Sequence, residues 1–223
     1  VALFTTACPV NAREQKWIEE SQAWFRATFG EPRPVVLPGS FTHQDLVTQV
    51  CRHMDVDPGQ LTVELFGDSA EEDLARAAGL TRRSTGAAGH YRREGGRPVI
   101  AVDQTLAPTR LIATIAHELG HVRLDGVHDG ADHEPLTDLL TVHFGLGIFT
   151  ANACFDLTRD NRRRIVRRLG YLTEPMYGYA LARHAWLRGE RRPTWARYLD
   201  VNPRVYLRRG LRYLTTVGQS GEP

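Results

Sequence analysis

Apolar residues recur along this chain with two different periods, and the changes between them outline its elements. Trp17, Ile18, Ala23, Trp24, Phe25 and Phe29 form an apolar set that predicts a helix over residues 12–29. Val35-Val36-Leu37 predicts a short strand, and residues 45–54 predict a second helix. Leu61-Thr62-Val63-Glu64-Leu65-Phe66 alternates as a half-buried strand does. Gly89-His90-Tyr91-Arg92 and Pro98-Val99-Ile100-Ala101-Val102, joined through Glu94-Gly95-Gly96, predict a hairpin. Leu111, Ile112, Ile115, Leu119 and Val122 then return to helical spacing over about 108–123; Pro108 suits the first turn and Gly126 the end. From about residue 138 onward the pattern reads as helical throughout. The expected fold class is α+β: a small, mostly antiparallel sheet of three or four strands with its helices, followed by an all-helical C-terminal part. The expected division is an N-terminal lobe over 1–125 and a C-terminal helical lobe over 126–223, closely packed.

At 223 residues and 42% hydrophobic content the chain can bury a substantial core. No apolar run is long enough to span a bilayer, and the first residues lack the basic-then-apolar order of a secretory signal. Cys8, Cys51 and Cys154 are odd in number and far apart, which argues against a disulfide framework and for a reducing compartment, so a cytoplasmic location is expected.

The 108–123 helix carries the chemistry. His117-Glu118-Leu119-Gly120-His121 puts two imidazoles one turn apart on one helical face, where both can hold a single zinc ion. The glutamate between them can take a proton from the water such an ion activates. A catalytic zinc wants three protein ligands and one open position, so a third must come from elsewhere. Five of the nine histidines fall between residues 117 and 143, among several carboxylates. A metzincin spacing would need Gly at 124 and His at 127, where the chain has Leu124 and Val127.

Asp132-His133-Glu134-Pro135-Leu136-Thr137-Asp138 reads as a capped helix start leading into an apolar run, with Asp132 as N-cap and Pro135 in the first turn. Glu134 and Asp138 are then four apart on one face, so Glu134 can bind the metal while Asp138 holds the far nitrogen of a ligating histidine. His128 and His133 are the alternative third ligands.

These residues resemble the gluzincin class of zinc metallopeptidases, in which a helix bearing H-E-x-x-H is followed by one bearing E-x-x-x-D; small members of the ImmA/IrrE kind are similarly compact. The resemblance spans about residues 87–145. It implies a zincin-like fold, Zn2+ as cofactor, His117, His121 and Glu134 as ligands, Glu118 as general base and Asp138 as the partner of His117. It also implies that Gly89, His90 and Tyr91 lie on a sheet-edge strand along which a peptide or protein substrate binds. The class commonly supplies an oxyanion partner from its C-terminal helices, where Tyr177, Tyr179 and His184 are the candidates. The chain departs from the class in having only twelve residues between His121 and Glu134, a span Gly126 and Gly130 can turn, and in having His133 and Pro135 around the ligand.

Residues 159–213 hold fifteen arginines against four carboxylates, a net +11 within a total of +2. Asn161 to Leu169 predicts a basic amphipathic helix that could meet nucleic acid. Because the chain has one lysine, Lys16, arginine is its ordinary surface cation, and a solvated face is the preferred reading. The reading as a whole is a zinc metallopeptidase acting on peptide bonds. A zinc enzyme that modifies a small molecule or peptide natural product is the alternative, and a zinc-containing nucleic-acid-binding module is the weaker one.

Overall fold

The computed structural model describes residues 7–42, 45–67, 88–154, 156–160, 163–167 and 171–220. Its helices are α1 (Ala12–Phe29), α2 (Leu46–His53), α3 (Pro108–Leu124), α4 (His133–His143), α5 (Gly147–Ala153), α6 (Glu174–Leu187) and α7 (Val201–Ser220). Strands are β1 (Thr62–Phe66), β2 (Gly89–Glu94), β3 (Arg97–Asp103), β4 (Asp156–Asp160) and β5 (Arg163–Arg167), with short 3-10 helices at Pro58–Gln60 and Thr194–Tyr198. Contacts divide the chain into Phe41–Gly130 and a second unit made of Val1–Ser40 with Ala131–Pro223. Among the described residues no helix is long and apolar enough to cross a membrane. The three cysteines are free thiols.

In the Phe41–Gly130 unit, β1, β3 and β2 form a sheet in that order. β1 runs parallel to β3, with Thr62 opposite Val99, and β2 runs antiparallel to it, with Gly89 opposite Val102 and Glu94 opposite Arg97. The sheet is therefore mixed rather than mostly antiparallel. The hairpin turn is Gly95-Gly96, with φ of +56° and +82°. Two successive left-handed residues give the turn whose twist matches that of the flanking strands, and glycine adopts them without steric cost. As the central strand, β3 buries Val99, Ile100, Ala101 and Val102 in succession. α3 lies against β2, β3 and α2 and contributes Ile112, Ile115 and Leu119 to the core, while α2 contributes Val50 and Cys51. Val35-Val36-Leu37 pairs with no strand among the described residues; Val36 instead donates its N–H to the carbonyl of Gly145.

Among the described residues the regular elements of the second unit are helices apart from β4 and β5. This two-stranded antiparallel hairpin stands where a basic helix was expected. Its register sets Asp156 opposite Arg167 and Asp160 opposite Arg163, and it pairs the β-branched Ile165 and Val166 with Thr158 and Leu157. β-branched residues favour strands, a preference that opposes the 3.6-residue spacing of the arginines. α1 begins with a capping box in which Asn11 and Glu14 satisfy each other's backbone N–H groups. It packs on α4 and α6, with Ile18 and Phe25 fully buried.

α6 and α7 make the most extensive helix pair. A Cβ at Gly178 would lie 2.3 Å from Tyr206 Cβ and 2.9 Å from the Leu207 nitrogen, and one at Gly210 would lie 2.7 Å from Ala182 Cβ. Gly178 is where a neighbouring backbone comes close, and α6 runs through it without loosening. Helix propensity alone would favour Ala there by about 1 kcal/mol, but overlap with backbone atoms reverses that preference.

Candidate metal centre

The local sequence explains why His117 and His121 stand on a rigid helix. Pro108 occupies the first turn of α3, where its missing N–H costs nothing, and the Ile112, Ile115 and Leu119 stripe anchors the helix on the sheet. The helix stops at Asp125, and Gly126 follows at φ +71°, while His128 returns its N–H to the Leu124 carbonyl.

The Nε2 atoms of His117 and His121 are 3.2 Å apart, with the rings at 82° to each other. A tetrahedral zinc bound about 2.0–2.1 Å from each nitrogen would hold the pair roughly 3.3 Å apart, so this spacing fits the ion. His117, His121 and Glu134 each offer a ligand atom, and these atoms lie within 4.8 Å of one another. Among the described residues this is the group that meets that test, and neither His128 nor His133 belongs to it. Two neutral imidazoles and a carboxylate form a donor set suited to zinc.

Glu118 is 4% exposed. Its carboxylate is set against β2 at Gly89: a Cβ there would lie 2.9 Å from Glu118 Oε1, 2.7 Å from Thr114 Cγ2 and 3.0 Å from the Ala101 carbonyl. Gly89 is thus the residue whose lack of a side chain makes room for the glutamate. Among the described residues β2, which carries Gly89, His90 and Tyr91, lies at one edge of the sheet. His90 is exposed, whereas Tyr91 turns its ring onto His121, parallel within 10° and 5.8 Å between centroids. The Tyr91 hydroxyl donates to Asp125 Oδ2, which also accepts from Arg93 Nε at 2.5 Å. Burial and the Asp125 carboxylate raise the Tyr91 pKa.

The sequence carried no sign of this clamp, because Tyr91 and Asp125 are 34 positions apart in no recognisable motif. Tyr91→Leu is expected to weaken binding of a divalent metal ion about tenfold, the lower end of what outer-sphere partners of metal ligands contribute. Tyr91→Phe, which keeps the ring, should lose less. Competition with a chromophoric chelator measures both, and unchanged affinity in Tyr91→Leu would refute the positioning role.

At the start of α4, Asp132 occupies the N-cap position without capping; its Oδ2 accepts from Trp17 Nε1 at 2.7 Å and ties the helix start to α1. Asp138 is buried, and its Oδ2 accepts the N–H groups of Tyr171 at 2.6 Å and Leu172 at 3.2 Å.

Tyr177, Tyr179 and His184 are at most 1% exposed. The Tyr177 phenol adjoins Asp138 and Thr150, and burial raises its pKa far above the usual range. The Tyr179 hydroxyl donates to Glu19 Oε1 at 2.5 Å. All three side chains are buried, and the partners of Tyr177 and Tyr179 lie on other helices.

His184 lies near Arg188, His143 and the Arg33 backbone, and its ring nitrogens make no hydrogen bond of ordinary geometry among the described residues. Burial lowers its pKa to about 3 and that of His143 to about 4. Both lie below the roughly 6.5 of an unfolded histidine, so the unfolded chain binds more protons as pH falls. The stability these two neutral rings confer is complete above about pH 6.5 and is lost as pH falls toward 4 and 3, roughly 2 kcal/mol per histidine by pH 5. The metal-free chain should therefore melt at a clearly lower temperature at pH 5 than at pH 7, and His184→Met should flatten that slope. Equal melting temperatures at the two pH values would refute it.

Residues 80–139 match the family model of the IrrE N-terminal-like domain, a peptidase family, about a quarter of the chain. The match takes in the hairpin, α3 and the part of α4 that carries Glu134 and Asp138. It supports an ImmA/IrrE-like peptidase of the zincin type, and hence a hydrolase. No curated protein and no solved structure gives a significant match to the chain.

Proposed function

We infer that this chain is a zinc-dependent metallopeptidase. The observation that carries the reading is the convergence of the His117 and His121 Nε2 atoms at 3.2 Å within a three-residue donor group that includes Glu134. A zinc ion held by the three residues would activate a water molecule and polarise the scissile carbonyl. Glu118 takes the proton of the attacking water on its carboxylate and delivers it to the nitrogen of the leaving amine. Its burial beside Gly89 limits the solvent that could compete for that proton.

By the gluzincin resemblance, Asp138 is assigned as the partner of the far nitrogen of His117, a role that would keep the ligating nitrogen unprotonated. Among the described residues β2 has a strand on one side alone, and an extended peptide would add along its other side.

The test is to purify the chain without added metal and assay it on a denatured protein. Hydrolysis that a chelator abolishes and zinc restores is the expected result. Hydrolysis indifferent to chelation would refute the reading.

A further inference from the structure

We propose that the α6–α7 end of the helical unit is a binding site for a single nucleic-acid strand. The surface there is hollowed into a cavity of about 1100 Å³, bounded by the end of α6, the 3-10 segment and one face of α7. Six arginines line it: Arg191, Arg192, Arg197, Arg204, Arg208 and Arg212, with no carboxylate among the lining residues. Several arginines elsewhere have acidic partners: Arg26 with Glu31, Arg92 with Glu64 and Glu94, Arg93 with Asp125, Arg183 with Glu19. The carboxylate nearest in sequence, Glu190, is taken by Arg188 at 2.9 Å and by Trp195 Nε1 at 2.7 Å. None of the six cavity arginines makes an ion pair among the described residues.

Arginine as the chain's ordinary surface cation does not account for this arrangement. Arg204, Arg208 and Arg212 stand at successive i, i+4 positions of α7, where like charges repel and each such pair costs a few tenths of a kcal/mol. The remaining three line the same cavity, so the charges of all six face one space. Such a field favours a ligand that carries several negative charges.

Three features select a nucleotide strand. Steps of four residues along a helix rise about 6 Å, close to the separation of neighbouring phosphates in an extended strand. The guanidinium fork matches phosphate oxygens through paired hydrogen bonds. Arg191 lies 3.4 Å from the centre of the Trp186 ring, which also lines the cavity, forming a guanidinium–indole stack of the kind on which unpaired bases rest. The cavity's concavity suits a strand rather than a duplex. This site is separate in its residues from the metal ligands, and its test does not depend on them.

The experiment is fluorescence anisotropy on the full chain with labelled twelve-nucleotide single strands of RNA and DNA, the corresponding duplex and a twelve-residue polyglutamate peptide, from 50 to 200 mM salt. A single strand should bind best, with a log–log salt slope near −4 for six phosphate contacts at about 0.7 each. R204Q/R208Q/R212Q should weaken it at least tenfold at 50 mM salt and bring the slope to about −2, while R13Q/R52Q should leave binding unchanged. R191Q/R192Q provides the same test on the opposite wall should the triple variant fold poorly. Preferential binding of polyglutamate or duplex, no binding at 50 mM salt, or equal binding by the cavity and control variants would each overturn the proposal.

Discussion

Glu118→Gln is expected to retain one zinc per chain and to lose hydrolysis by about 10²- to 10⁴-fold, the range a positioned general base contributes. Glutamine keeps the shape that fits against Gly89 and Thr114, so the helix and the two ligating nitrogens should stay where they are. What it cannot do is accept a proton. Elemental analysis and initial rates, measured on the same preparation, separate the two properties. A variant that turns over at the wild-type rate would remove Glu118 from the mechanism. One that loses the zinc would make Glu118 part of the metal site itself.

Glu134→Ala is the second large effect expected. Removing the carboxylate leaves two imidazoles, and zinc affinity should fall by far more than the 10- to 100-fold typical of an outer-sphere partner. Asp138→Asn should fall within that smaller range. Asp132 and Trp17 hold the start of α4 independently of the ligand, so the circular dichroism of Glu134→Ala should match that of the wild type. Competition against a chromophoric chelator ranks the three proteins. Zinc held as tightly by Glu134→Ala as by the wild type would reassign the third ligand.

Local chemistry was legible in the sequence wherever it is repeated or punctuated. α1 runs over Ala12–Phe29, the span its apolar set predicted, because a capping box marks its start and a glycine its end. Pro108 and Gly126 bracketed α3 in the same way, and Gly95-Gly96 announced the hairpin. Long-range partnerships had no such mark. Whether β1 runs parallel or antiparallel to β3 is settled by the path between them, not by alternation in either strand. Val36 has the composition of a strand residue yet finds Gly145, over a hundred positions away, as its backbone partner.

The basic segment illustrates a period misread. Arginines spaced for a helix concealed β-branched residues that pair across a hairpin. In the candidate site, His117, His121 and Glu134 were visible because ligand spacing on helices is a local property. The Tyr91–Asp125–Arg93 clamp and the room for Glu118 at Gly89 were not, since each joins residues far apart in sequence. Tyr177, Tyr179 and His184 had the side chains of catalysts, and only burial showed where they reside.

A chain that hydrolyses peptide bonds with a metal held by His117, His121 and Glu134 must cut unfolded proteins. The most direct test is to incubate the zinc-loaded wild type and Glu118→Gln with a mixture of unfolded proteins and to identify new peptide termini by mass spectrometry. The account predicts new termini with the wild type alone, abolished by chelation. A zinc-loaded wild type that produces no termini beyond those of Glu118→Gln would contradict it.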